Sequence, residues 1–221
     1  MIQFFNVTLS INHRIILNHI TFQITKGEFV YLIGPSGAGK STILRLIHFS
    51  ALPDSGTVLV NQFSSAKIKR RKIPYLRRGV GFIFQDFKLL PDRNVFDNVA
   101  FALRVIGAPR ADISKKVLRV LTEMGLGHKR NAYPMELSGG EQQKVAIARA
   151  VVNEPFVLLA DEPTGNLDPE SAAEILKILE SINIRGTAVL MATHNYALIK
   201  EFSHRTLRIE NGELKKNEPV F

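Results

Sequence analysis

Phe29-Val30-Tyr31-Leu32-Ile33-Gly34-Pro35-Ser36-Gly37-Ala38-Gly39-Lys40-Ser41 runs from an unbroken apolar stretch, through a glycine-rich turn, into residues patterned as a helix over 41–48. A short continuous apolar run suits a strand covered on both faces. The turn matches G-x-x-x-x-G-K-[ST]. Its glycines let backbone N–H groups turn inward around phosphate oxygens, and the helix N-terminus adds partial positive charge. In that setting Lys40 reaches β- and γ-phosphates, and the Ser41 hydroxyl ligates Mg²⁺. The alternative, a glycine turn with an idle lysine, does not account for the strand before it and the helix after it. The motif alone specifies a nucleoside triphosphatase and nothing narrower.

Outward from this turn, residues 156–160 and 188–192 form two more buried-strand runs, with a helical pattern over 169–181 between them. Strand, helix and strand in alternation imply a parallel sheet with right-handed crossovers. Residues 2–7, 22–24, 57–60 and 80–84 also read as strands. Apolar residues fall at helical spacing over 94–106 and 112–124, and the break between them is Gly107-Ala108-Pro109. A further helix is expected over 141–152. The expected fold class is α/β: one domain whose core, about residues 1–85 and 155–221, is interrupted by a mostly helical subdomain at about 86–154.

Composition sets outer limits. The 221 residues are 45% hydrophobic and 22% charged, a globular profile. No apolar run approaches the roughly 18 residues that span a bilayer. Asn6, Asn12, His13 and Arg14 interrupt the first residues, so no signal peptide is read and a cytosolic chain is expected. The absence of cysteine excludes disulfides, thiolate metal sites and cysteine nucleophiles. The net charge of +9 fits nucleic acid, an anionic membrane surface or a phosphate-rich ligand. Seven basic and no acidic residues lie between Lys67 and Arg78. This stretch reads as a solvated basic loop, a membrane-facing patch or a nucleic-acid patch; Tyr75 is its one aromatic residue for base stacking.

Asp161 and Glu162 close the second strand run. A strand ending in Asp is how phosphate-loop enzymes hold their metal, and side chains of adjacent strand residues diverge. Asp161 is thus the candidate Mg²⁺ ligand and Glu162 the residue that polarises the attacking water. His194 and Gln85 each follow a strand-like run, where ligands bind in parallel sheets; each could equally be structural.

Leu137-Ser138-Gly139-Gly140-Glu141-Gln142 is a second phosphate-binding candidate, with two glycines opening a helix. Ser138 and Glu141 also fit a capping box, and both readings can hold together. With these residues, the sequence resembles the ATP-binding cassette (ABC) family over nearly its whole length. The glycine turn at 34–41, Gln85, the signature at 137–142, Asp161-Glu162, Asn166-Leu167-Asp168 and His194 stand in family order. The resemblance implies a RecA-like core with an antiparallel β-subdomain and an inserted helical subdomain. It implies a head-to-tail homodimer enclosing two ATP molecules with Mg²⁺. Gly34, Pro35, Ser36, Gly37, Ala38, Gly39, Lys40, Ser41 and Thr42 would bind the phosphates of one ATP, and Ser138, Gly139 and Gly140 of the second chain would cover it. Ser41, Gln85 and Asp161 would serve the metal, and Gln85 would also sense toward the helical subdomain. Glu162 would be the catalytic base, with His194 and Lys40 on the transferred phosphate, and Asp168 would communicate across the dimer.

One position departs from the family pattern. Where an aromatic residue usually stacks on adenine, this chain has Ile11, with His13 nearby, so weak discrimination between ATP and GTP is expected. The stretches 84–90 and 92–101 place the chain closest to the cell-division branch of the family. That implies an FtsX-like integral membrane partner, control of cell-wall hydrolases and a peripheral position on the cytoplasmic face of the inner membrane. The partner contact is expected at Phe87, Leu89 and Leu90, and no nucleic acid is expected. The alternative is the ATPase of a lipoprotein-releasing or export system.

Overall fold

The computed structural model describes residues 1–215. In chain order its elements are β1 (Ile2–Ile11), β2 (Arg14–Ile24), β3 (Phe29–Ile33), α1 (Lys40–Ile47), β4 (Ser55–Val60), β5 (Phe63–Ser64), α2 (Ile73–Arg78), β6 (Val80–Ile83), α3 (Val95–Val105), α4 (Arg110–Glu123), α5 (Gly139–Val151), β7 (Val157–Asp161), α6 (Pro169–Ile184), β8 (Ala188–Thr193), α7 (Tyr196–Glu201), β9 (Arg205–Glu210) and β10 (Glu213–Lys215).

The central sheet has the order β10-β9-β3-β8-β7-β6. All neighbouring pairs are parallel except β10 with β9. Strand β3 is buried throughout, as its unbroken apolar run requires. Phe29, Tyr31 and Ile33 pack toward the helical layer with residues of α3, α5 and α6. Val30 and Leu32 pack on the other side, with α1 and the second sheet. That second sheet is antiparallel, in the order β2-β1-β4-β5. The sheet register sets Ile33 beside Thr193, Ala192 beside Asp161 and Ala160 beside Ile83. The carboxyl ends of β3, β8, β7 and β6 therefore share one edge, where the loops that follow them converge.

The antiparallel sheet differs from the sequence expectation. β2 begins at Arg14, not at Phe22, because β1 and β2 form one long hairpin. Asn12 and His13 turn it with φ of 50° and 62°, the left-handed pair of a two-residue hairpin. Bulges break the alternation that would have signalled a long strand. Asn6 and His19 take positive φ at these irregularities, and their side chains meet at 2.8 Å. The basic stretch is not a plain loop. It contains a 3-10 turn at Arg70–Lys72 and α2. Leu76 is the buried anchor of α2, and its cations face outward.

Gly56, at the bend into β4, has φ of 78°, and a Cβ there would lie 2.2 Å from the Asn6 carbonyl oxygen. Gly56→Ala should therefore destabilise the fold by about 2 kcal/mol or more. Thermal unfolding should show a Tm lower by about 4–8 °C.

Candidate functional site

The glycine-rich turn between β3 and α1 is shaped by what surrounds it. Gly34 has φ of 153°, and a Cβ would come within 2.1 Å of the Ile209 carbonyl oxygen. Gly39, in the left-handed region at φ 106°, is the N-cap of α1, and a Cβ would meet Leu17 Cδ2 at 2.7 Å. Side chains at either position would displace neighbours, so the backbone here can only be glycine. The Ala38 N–H donates to the Pro35 carbonyl at 3.2 Å, which tightens the turn.

Lys40 lies under this turn with 7% of its surface exposed. Its ammonium donates to the carbonyls of Gly34 at 2.9 Å and Pro35 at 3.3 Å, and lies 3.5 Å from Glu162 Oε1. Glu162 also has His194 Nδ1 at 2.9 Å, and its Oε2 accepts from the His194 N–H at 3.3 Å. Glu162 itself has φ of 47°, strain that a functional position can hold. One carboxylate thus joins Lys40 on the turn to His194 beyond β8.

Ser41 donates to Asp161 Oδ1 at 3.0 Å. Burial raises the Asp161 pKa above the usual carboxylate range; the Ser41 hydrogen bond opposes this and the Glu162 charge adds to it. Ser41 and Asp161 offer hard oxygen donors, and Gln85 contributes to the same cavity, a set that suits Mg²⁺. Among the described residues, no cluster of three or more His, Cys, Asp or Glu could hold a metal ion. The remainder of a Mg²⁺ shell would therefore come from phosphate and water.

The cavity measures about 420 Å³. Ser36, Gly37, Gly39, Lys40, Ser41 and Thr42 line it, together with Gln85, Glu162 and His194. Ile11 and Ile16 line it as well. Among the described residues, no aromatic ring other than that of His194 lines it, and His13 is not among its walls. Ile16 was not anticipated, because nothing in its spacing marks it.

The second glycine pair lies outside this cavity. Ser138 caps α5, accepting from the Glu141 N–H at 3.2 Å, while the Glu141 carboxylate accepts from the Ser138 N–H at 2.8 Å. That bond is the largest influence lowering the Glu141 pKa. Ser138 and Gly139 are exposed. The capping box and an open helix N-terminus therefore coexist. Asp168 caps α6, accepting from the Ser171 N–H at 2.9 Å, and is exposed. Asn166 approaches the Gln85 carbonyl at 3.4 Å.

A residue pattern matching the ABC transporter family model covers residues 17–165. The chain belongs to the ABC transporter family. It is 52% identical over 202 residues to the cell division ATP-binding protein FtsE of Bacillus subtilis, covering 91% of this chain and 89% of that protein. It is 47% identical to FtsE of Escherichia coli K12 over 97% of each chain. The dimeric ATP-binding cassette MJ0796, solved in a post-hydrolysis state with ADP and phosphate, superposes with a TM-score of 0.87 at 33% identity, over 99% and 98% of the two chains. A cassette of the cbiONQ transporter of Clostridium perfringens gives 0.89 at 28% identity, over 97% of this chain and 86% of that one. The protein is an ABC-type ATPase with the nucleotide-binding-domain fold.

A second groove, of about 490 Å³, lies between the core and the helical layer. Phe82, Phe84, Phe101, Val105 and Ile106 supply its apolar surface, with Arg77, Arg78 and Arg149 in its walls. His48 lines it too; burial, with Arg77 nearby, pushes its pKa down to about 4, so it adds no charge at neutral pH. Leu89, expected to face a partner, packs instead against the helical core. Phe87 and Leu90 are half-buried, and none of the three lines the groove.

Two measurements follow from this geometry. A buried carboxylate whose pKa is raised disfavours the folded state above that pKa. Asp161→Asn should abolish ATP hydrolysis yet raise Tm at pH 7 without nucleotide. The gain should be at most about 1 kcal/mol, since the carboxylate is only partly shielded, or about 2–4 °C, shrinking as pH falls and the native carboxyl becomes neutral. Ile11→Tyr should tighten ATP binding at least about fivefold in a fluorescent-nucleotide displacement assay, because base–aromatic stacking contributes about 1–3 kcal/mol.

Proposed function

We propose that this chain is the ATP-hydrolysing subunit of a bacterial inner-membrane complex acting in cell division, with an FtsX-like integral membrane protein as partner and control of cell-wall hydrolases as output. Identity of about half the residues to FtsE proteins over nearly the whole chain supports the assignment. One observation carries the mechanism: the exposed Ser138-Gly139 helix start does not line the P-loop cavity of its own chain. A second copy, placed head to tail, brings the signature of one chain over the cavity of the other.

In this reading the triphosphate lies along the backbone of residues 34–42, and Lys40 exchanges its carbonyl and carboxylate partners for β- and γ-phosphate oxygens. Glu162 accepts the proton of the attacking water. His194, already paired with Glu162, contacts the γ-phosphate. Ser41, Gln85 and Asp161 hold Mg²⁺, which when bound neutralises charge on the phosphate oxygens. Ser138, Gly139 and Gly140 of the second chain donate from a helix N-terminus, and Asp168 faces the dimer seam. The products are ADP and phosphate. Because ATP touches both chains only in the closed dimer, it shifts the population toward closure, and hydrolysis removes that bias.

The helical layer, about residues 86–154, passes this movement to the partner. The aromatic groove between layers is the docking surface that best fits a partner helix, whose apolar face would enter it. The basic stretch borders the same groove through Arg77 and Arg78. Lys67, Lys69, Arg70, Arg71, Lys72, Arg77 and Arg78 are all exposed, and Tyr75 is 54% exposed between the cations of Lys72 and Arg78. Such a patch suits the anionic inner face of a membrane. Among the described residues no helix is long and apolar enough to cross a membrane, so attachment would run through the partner and this patch.

Glu162→Gln should bind ATP normally while hydrolysing it about 10²–10⁴-fold more slowly. Tagged Glu162→Gln chain held with ATP and Mg²⁺ should recover an FtsX-like protein from native membranes. Recovery of a lipoprotein-releasing or export permease in its place would overturn the division assignment.

A further inference from the structure

The segment after β6 carries Gln85 to the nucleotide cavity and is held by the helical layer at two places. Arg149, in the last turn of α5, donates to the Lys88 carbonyl at 2.6 Å and the Phe87 carbonyl at 2.7 Å. Both residues have left-handed backbones, with φ of 56° and 49° for Phe87 and Lys88. Neither is glycine, so this conformation must be held by its surroundings. A guanidinium fork on two successive carbonyls does that, with the geometric specificity of a bidentate donor. Further along, Asn98 of α3 is fully buried. Its Oδ1 accepts from the Leu90 N–H at 2.8 Å, and its Nδ2 donates to the carbonyls of Leu90, Arg93 and Asn94. On the core side, the Gln85 carbonyl accepts from Asn166 Nδ2 at 3.4 Å.

The short bonds thus run to the helical layer and the long one to the core. Ser138 and Arg149 sit at opposite ends of α5, about 16 Å apart at about 1.5 Å per residue. A rigid helix therefore links the signature serine to the backbone two and three residues beyond Gln85. Arg149 also lines the groove between layers.

We infer that Arg149 is a positioning residue, which transmits movement of the helical layer to Gln85 by gripping the Phe87 and Lys88 carbonyls. This rests on the reading above that Gln85 acts on the bound nucleotide and that the helical layer moves on closure. A partner segment in the groove would touch the same guanidinium, so docking and nucleotide sensing meet at one side chain.

The test is a double-mutant cycle on the full chain with four proteins: wild type, Arg149→Ala, Gln85→Ala and the double variant. ATP affinity, kcat and Tm are measured for each. Arg149→Ala should keep ATP affinity within about twofold while kcat falls about ten- to a hundredfold, the scale of a small misplacement of an active-site group. The double variant should be no slower than Gln85→Ala alone. Arg149→Lys keeps the charge but not the fork, so it should recover little of the kcat; should Arg149→Ala fail to fold, the cycle is run with Arg149→Lys. Multiplying losses in the double variant, or a lower Tm with wild-type kcat, would overturn the inference while leaving the role of Gln85 intact. Wild-type kcat in Gln85→Ala would remove that role and the inference with it.

Discussion

Gly34 passes so close to the Ile209 carbonyl that only hydrogen fits on its α-carbon. That approach fixes where the chain leaves β3, and the remainder of the site is arranged around it. The turn directs its carbonyls inward at Lys40, and the ammonium in turn draws Glu162 under the turn. Glu162 brings His194 with it. Three separate strand ends are thus joined through one buried cation. A buried charge is costly unless paired and hydrogen-bonded, and here two carbonyls and a carboxylate surround it. Phosphate oxygens can replace the carbonyls and carboxylate around Lys40 without leaving it uncompensated.

The parallel sheet brings these strand ends to one edge, and helices α3, α4 and α5 pack on one of its faces. The two hydrophobic clusters lie on opposite faces of β3, so the nucleotide site sits at the edge of a sheet packed on both sides. The signature opens α5 and does not line the cavity of its own chain. The segment from Gln85 to Asn94 joins β6 to α3, and its backbone is held by Arg149 and Asn98.

This division also explains what the sequence disclosed. Strands β3, β7 and β8 were legible because burial on both faces leaves unbroken apolar runs. The glycine turn was legible because backbone contacts to phosphate demand glycine at fixed intervals. The β1–β2 hairpin was hidden by bulges at Asn6 and His19, which shift the alternation mid-strand. Helix α2 was hidden because one buried residue, Leu76, anchors a run of exposed cations. Lys40, Ser41, Asp161, Glu162, Gln85 and His194 do converge, in agreement with the spacing of their motifs. Arg149 and Asn98 gave no signal because they bind backbone carbonyls, which any residue supplies. Leu89 misled because an apolar residue after Gln85 can face a partner or its own core with equal ease.

The central claim is that each chain carries two halves of different sites, completed only by a second copy. Mixing two inactive variants tests it directly. Lys40→Ala removes the phosphate half and Ser138→Arg blocks the signature half, so each alone should be inactive. Random mixing pairs an intact phosphate half with an intact signature half at one site of every mixed dimer. The mixture should regain about a quarter of wild-type ATPase activity. A mixture as inactive as its components, or full activity in Ser138→Arg alone, would contradict the shared site.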